Sequence, residues 1–275
     1  MKLLFIADPL RDFKIYKDST YAMMQEAQAR GWSVAACELH DMHWQAGSGV
    51  TAQCKTLEIT PDSIAAQAAL TDQIPWFAIE NEARVALKDF DAVLMRKDPP
   101  FDAEYLYATH LLGQAEREGA RVLNSPQALR DHSEKLALME FAQFAAPTLV
   151  ARDMQALRDF HTQHGDVIFK PLDGMGGAGI FRVGADGLNL GSVIEQLTHN
   201  GTQSIMAQRY LPAIAEGDKR VLLIGGQVLP YALARIPQGG EVRGNLAAGG
   251  KGVAMALTAK EREVAEFLAP ILYAR

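Results

Sequence analysis

The stretch Lys170-Pro-Leu-Asp-Gly-Met-Gly-Gly-Ala-Gly-Ile-Phe-Arg-Val183 decides the fold of the second half of the chain. It sets a glycine run between two short apolar segments, Val167 to Lys170 and Ile180 to Val183. Gly174, Gly176 and Gly179 satisfy the spacing GxGxxG. A dinucleotide fingerprint needs a helix after that run, and strand-forming residues follow instead, so the reading fails on context. No Gly-Lys-Ser/Thr follows either, which excludes a Walker A loop. What remains is a β-hairpin with a glycine-rich turn. Such a turn is either plain or able to fold over phosphates, where backbone N–H groups approach and a Cβ would clash. Two lysines favour phosphate. Lys170 ends the first strand, and Lys135 stands in the preceding segment Ser133-Glu-Lys-Leu136. An ammonium is a compact charge suited to a polyphosphate, and a lysine inside an apolar run needs a partner.

Downstream, strands continue in pairs. Arg220 to Ile224, Gly225-Gly226 and Gln227 to Pro230 spell a second hairpin with a two-residue turn. Met206 to Pro212 passes from apolar to polar and reads as a linker able to meet a purine edge. Gly217-Asp218-Lys219-Arg220 is either a solvated turn or a site where Asp218 accepts hydrogens from a ribose or amine and Arg220 clamps a carboxylate. Arg235 to Gly252 is glycine-rich and long enough for a lid carrying Arg243, Asn245 and Lys251. Ala259 to Leu272 reads as a helix. This half is expected to be α+β with antiparallel sheets.

Upstream the pattern is different. Leu3 to Ala7 is a buried strand, and Asp18-Ser19-Thr20 offers cap oxygens to a helix that stops at Gly31. Ser33 to Leu39 is the next strand, and residues 45–62 read as loop. Ala92 to Met95 is another strand, followed by a helix over 103–118 and a short strand at Arg121 to Asn124. Alternating strands and helices predict an α/β domain with a parallel sheet. Asp8, Arg96 and Asn124 fall at strand carboxyl ends, where open sheets bind ligands.

The 275 residues are 48% hydrophobic with a formal net charge of −6, so the chain has core enough for two or three lobes and no long-range attraction to nucleic acid or an anionic membrane. No run approaches about 20 apolar residues, which excludes a transmembrane helix. Cys37 and Cys54 form no metal-like or CxxC spacing, and a reducing, cytoplasmic setting is expected.

In this order the pieces resemble the bacterial glutathione synthetases of the ATP-grasp superfamily. The strings that carry the resemblance are Lys17-Asp-Ser-Thr20, Arg96-Lys-Asp-Pro-Pro-Phe-Asp102, Lys170 to Ala178, Met206-Ala-Gln208, Gly217 to Arg220 and Arg243-Gly-Asn-Leu-Ala-Ala-Gly-Gly250. The resemblance implies an N-terminal substrate-binding domain over 1–132, an ATP-grasp lid over 133–210 and a C-terminal ATP-grasp subdomain over 211–275. It implies that ATP phosphorylates the cysteinyl carboxylate of γ-glutamylcysteine and that glycine attacks the acyl phosphate, giving glutathione, ADP and phosphate. On ATP it puts Lys135 and Lys170, the loop Asp173, Gly174, Met175, Gly176, Gly177 and Ala178, the linker Gln208, Arg209, Tyr210 and Leu211, and Asp218. On the substrates it puts Asp18, Ser19, Arg96, Arg220 and Arg235, with Arg220, Arg235 and Asn245 acting at the acyl phosphate. It also implies a homo-oligomer.

The family continues past Arg275 with strands whose acidic and asparagine side chains hold two Mg²⁺ (or Mn²⁺) ions. No Glu-x-Asn or later acidic strand is found here. The chain is therefore expected to be a fragment or a truncated form, with its metal ligands unassigned and its own turnover near zero. A weakly nucleotide-binding remnant and another ATP-grasp carboxylate–amine ligase are the alternatives.

Overall fold

A computed structural model of the chain describes residues 1–60, 76–236 and 251–275. They divide into two compact units, Met1–Ser133 and Glu134–Arg275.

The first unit is built on β1 (Lys2–Ile6), β2 (Ser33–Cys37), β3 (Met42–Gln45), β4 (Gly49–Ile59), β5 (Phe77–Ala86), β6 (Ala92–Met95) and β7 (Val122–Leu123). Their order is β3-β4-β2-β1-β6-β7, with β5 also paired to β4. The sheet is mixed. β2, β1, β6 and β7 run parallel, while β4 pairs antiparallel with β2, β3 and β5. The expectation of a parallel sheet holds for β2, β1, β6 and β7. Burial explains the central strands, because Leu4, Phe5 and Ile6 are fully enclosed and both faces are covered. One face carries helix α1 (Ser19–Ala29), through Tyr21, Met24 and Ala27. The other carries α2 (Ala103–Arg117), through Tyr105, Ala108 and Leu112. A short α3 (Pro126–Asp131) ends the unit.

Residues 45–62, expected to be loop, instead hold the whole of β4, with 61 and 62 outside the described residues. The reason lies in its alternation. Val50, Ala52 and Cys54 point into the core under α2, whereas Leu57 and Ile59 point into the core under α1. The buried parity changes halfway along the strand because its two halves are covered from opposite sides. Period-2 reading over a short window loses the signal there.

The second unit opens with a 3-10 segment at Leu136–Phe144. A four-stranded antiparallel sheet follows, in the order β10 (Phe181–Val183), β9 (Val167–Pro171), β11 (Ile205–Arg209) and β8 (Thr148–Ala151). Helices α4 (Met154–His164) and α5 (Leu190–Thr198) back one face, where Leu157, Val167, Phe169, Ile194, Ile205 and Ala207 form the core. Strict alternation leaves Thr148, Lys170, Met206 and Gln208 on the other face. A three-stranded antiparallel sheet, β12 (Asp218–Ile224), β13 (Gln227–Ile236) and β14 (Lys251–Ala256), packs with helix α6 (Ala259–Tyr273) through Ala232, Ala234, Ala265 and Ala269. The β12–β13 turn is Gly225-Gly226, with φ of 57° and 77°, the left-handed pair a tight hairpin turn needs. Leu222, Ile224, Tyr231 and Met255 remain exposed on this sheet.

Phe169 is fully enclosed on β9, at the centre of the second unit's main core. Phe169→Ala is expected to cost about 3–5 kcal/mol. Urea unfolding followed by far-UV circular dichroism measures this, and a loss under about 1 kcal/mol would place the core elsewhere.

Candidate functional site

Each unit gathers polar groups on one side. In the first, they collect at the carboxyl ends of β1 and β6, beside the N-terminus of α1. The Arg96 N–H donates to Ile6 O at 2.7 Å, which fixes the backbone as it leaves β6. The Arg96 guanidinium donates to Thr20 Oγ1 at 3.1 Å and to Ser19 Oγ at 3.0 Å. Asp18 is the cap of α1, its carboxylate accepting the N–H groups of Thr20 at 2.7 Å and Tyr21 at 3.0 Å. Lys97 reaches Asp8 at 2.7 Å, and Asp8 accepts the Asp98 N–H at 2.9 Å. Burial, with Asp8 and Asp18 close by, pushes the Asp98 carboxyl above the usual carboxylate range.

The structure thus brings together Asp18, Ser19 and Arg96 as the sequence suggested, with Thr20, Lys97 and Asp98 added. Asp18 is occupied as a helix cap, a role its position before a helix already announced. Asn124 lies at the end of β7 and has no part in these bonds.

In the second unit the glycine hairpin forms as expected, with β9 and β10 as its arms. Gly176, Gly177 and Gly179 all adopt left-handed φ, between 68° and 87°. The Lys135 ammonium reaches the base of this loop, donating to Leu172 O at 3.3 Å and to Gly174 O. Lys170, on the outer face of β9, donates to Gln208 Oε1 at 2.6 Å. Gln208 Nε2 donates to Thr148 Oγ1 at 2.9 Å, and the Thr148 hydroxyl to Ala146 O at 2.7 Å. Burial pulls the Lys170 ammonium below its ordinary lysine value, and Lys135 adds to the effect.

The linker after β11 is pinned. Arg209 N–H donates to Pro147 O at 3.0 Å and Tyr210 N–H to Asp166 O at 2.9 Å. Arg182 grips Asp166 at 2.9 and 2.6 Å and lies 3.7 Å over the Tyr210 ring. That arrangement escaped the sequence, in which Arg182 is a polar residue within a strand. Leu211 is half exposed.

Asp218 and Arg235, expected at ribose and substrate, face each other across β12 and β13 and form a two-pronged ion pair. Arg220, two residues on, is exposed and has no ion-pair partner among the described residues. Arg243 and Asn245, with most of the expected lid, lie outside the described residues. Lys251 opens β14 and is exposed. Among the described residues, no group of three His, Cys, Asp or Glu side chains is placed to hold a metal ion, and no helix is long and apolar enough to cross a membrane.

Known proteins resemble this chain along its whole length. A glutathione synthetase from Ralstonia nicotianae is 58% identical over 276 residues, covering all of this chain and 82% of the relative. One from Neisseria meningitidis serogroup B is 53% identical, with 100% and 84% covered. Among solved structures, D-cycloserine synthetase DcsG superposes with a TM-score of 0.63 at 16% identity, covering 98% of this chain and 80% of that one. The ATP-grasp ligase PsnB, complexed with minimal precursor, Mg and ADP, gives 0.53 at 20% identity, with 99% and 81% covered. At those identities the likeness is one of fold. Residues 1–130 match the N-terminal domain, and residues 134–275 the ATP-grasp domain, of prokaryotic glutathione synthetase. The chain belongs to the prokaryotic glutathione synthetase family.

Proposed function

We propose that the chain joins γ-glutamylcysteine to glycine through an acyl phosphate, with its second unit holding ATP and its first holding a substrate carboxylate. ATP-dependent glutathione synthesis is the activity of its family, and identity of 58% across the whole chain disfavours a different carboxylate–amine ligase. One observation carries the nucleotide assignment. Lys135 and the glycine loop meet through Leu172 O and Gly174 O, beside Lys170 on the adjoining strand. Two cations held against neutral oxygens form a site that a polyphosphate completes.

In this reading Lys135 and Lys170 bind phosphate oxygens, and the backbone of 173–178 closes over them. The purine lies along Gln208 to Leu211, using the groups that the bonds of Arg209 and Tyr210 leave over. Residues 133–210 act as lid and 211–275 as the remaining ATP-grasp subdomain. Asp218 holds Arg235 in line, and Arg220, Arg235 and Asn245 meet the carboxylate and the acyl phosphate. Arg96, steadied by Ser19 and Thr20, takes the γ-glutamylcysteine end. No side chain needs to act as covalent nucleophile, since positioning, charge neutralisation and exclusion of water suffice for this chemistry. Magnesium accompanies ADP in the PsnB complex, and the same ion is proposed here with ATP. The described residues do not form a site for it, and no step above runs through it. A bacterial cytoplasmic setting fits the relatives' origin and the use of only two buried, free cysteines, and a homo-oligomer is carried over from the family resemblance alone. The overall test is ADP release that requires both γ-glutamylcysteine and glycine, measured on this chain and on one extended by the family's C-terminal segment; nucleotide hydrolysis indifferent to both substrates would reject the assignment.

Gly176 sits at φ 69°, in the left-handed region. Gly176→Val strains that turn by about 1–2 kcal/mol and adds bulk where phosphate would approach, so ATP affinity should fall roughly tenfold or more. Calorimetric titration with ATP measures it. Wild-type affinity in a folded variant would remove the loop from the nucleotide site.

Arg96→Ala should weaken γ-glutamylcysteine by roughly 1.5–3 kcal/mol, the range of a charge-assisted hydrogen bond, and leave ATP affinity close to wild type. Separate titrations with each ligand, beside a thermal melt, decide this. Equal loss for both ligands would make Arg96 a structural residue that merely ties β6 to α1.

A further inference from the structure

The hydrogen-bond chain on the outer face of the four-stranded sheet extends beyond the residues assigned to ATP. It runs from Lys170 on β9 through Gln208 on β11 to Thr148 on β8, and ends on the Ala146 carbonyl. Strand register makes these side chains meet. Thr148 lies directly opposite Gln208, and Met206 directly opposite Lys170, so Lys170 and Gln208 are diagonal neighbours on one face.

A hydroxyl has one hydrogen to give. Thr148 gives its hydrogen to Ala146 O and so shows only lone pairs to Gln208. Those lone pairs accept the NH₂ end of the Gln208 amide and no other. The amide oxygen is thereby turned toward Lys170, where an ammonium can use it. A flipped amide would set oxygen against lone pairs at one end and donors against an ammonium at the other.

We propose that Thr148 is a positioning residue of the nucleotide site, acting through Gln208 to fix the place and the charge of the Lys170 ammonium. The inference rests on the assignment of Lys170 to the ATP phosphates. The charge of Lys170 needs support, because burial and Lys135 both favour its neutral form, with Glu134 the nearby acid that opposes them. An amide oxygen at 2.6 Å favours the charged form. Thr148 also sits far from the glycine loop in sequence, 60 residues from Gln208, and carries no motif of its own.

The experiment compares Thr148→Val, which keeps the branched shape and removes the hydroxyl, with Thr148→Ser, which keeps the hydroxyl. ATP dissociation constants are measured by calorimetry from neutral to alkaline pH, each variant first checked by thermal melt. Thr148→Ala replaces the valine variant if valine prevents folding. The valine variant is expected to bind ATP roughly 3- to 10-fold more weakly, the span of one net hydrogen bond, and serine to restore most of the loss. The sign in pH follows from the lysine. With its acceptor unfixed, Lys170 loses its proton more readily, so the alkaline fall in ATP affinity should move to lower pH in the valine variant and stay in place in the serine variant.

Wild-type affinity and an unmoved alkaline limb in the valine variant would overturn the proposal. So would a serine variant as weak as valine, which would mean that Thr148 acts by packing. Lys170→Ala separates the two levels of inference. If that change spares ATP binding, the phosphate assignment falls and the role of Thr148 with it. If it abolishes ATP binding while Thr148→Val does not weaken it, the positioning role alone falls.

Discussion

Two ammonium groups, Lys135 and Lys170, lie near one another, close enough for Lys135 to disfavour the charge of Lys170, and the oxygens that bind them are neutral. Glu134 is the nearby acid that pulls the other way. Bringing two like charges into a partly desolvated place is costly unless something anionic completes it. The second unit is organised around that tension. The core under β9 and β11 takes Val167, Phe169, Ile205 and Ala207, and alternation then delivers Lys170 and Gln208 to the opposite face. The glycine loop gives its base carbonyls to Lys135 and keeps its tip free of side chains, apart from Met175 and Ala178.

The first unit obeys a different rule. Its central strands are sealed on both faces by α1 and α2, so chemistry can gather only where the strands end. Arg96 leaves β6 with its backbone tied to Ile6 on β1, and its side chain meets the first turn of α1. A strand end and a helix start therefore share one arginine.

Much of this was legible in the sequence because it was local. Asp18 before a helix, Gly31 after it, and Gly225-Gly226 between two apolar runs each state their geometry within a few residues. The glycine hairpin and its two lysines were readable for the same reason. The antiparallel side of the first sheet was not. β4 hid because its buried parity reverses at mid-strand, and β5 joined it by pairing across a long stretch of chain. The mutual grip of Asp218 and Arg235 depends on a strand register, as does the line from Lys170 to Thr148. Register is a tertiary fact that no short motif records. Arg182 over Tyr210 is invisible for the same reason.

The cap of α1 has a further consequence. Asp18 holds the first turn of the helix, and the next two side chains of that turn hold Arg96. Any substitution that changes how Arg96 is presented must be made within a turn whose geometry Asp18 enforces. The side chains that direct the Arg96 guanidinium and the side chain that starts the helix are therefore adjacent positions on a shared backbone. Ser19 is exposed and can change with the helix intact, whereas Thr20 is enclosed and Asp18 is the cap that holds the turn. The freedom to re-aim this guanidinium is therefore set by the chemistry of a helix end.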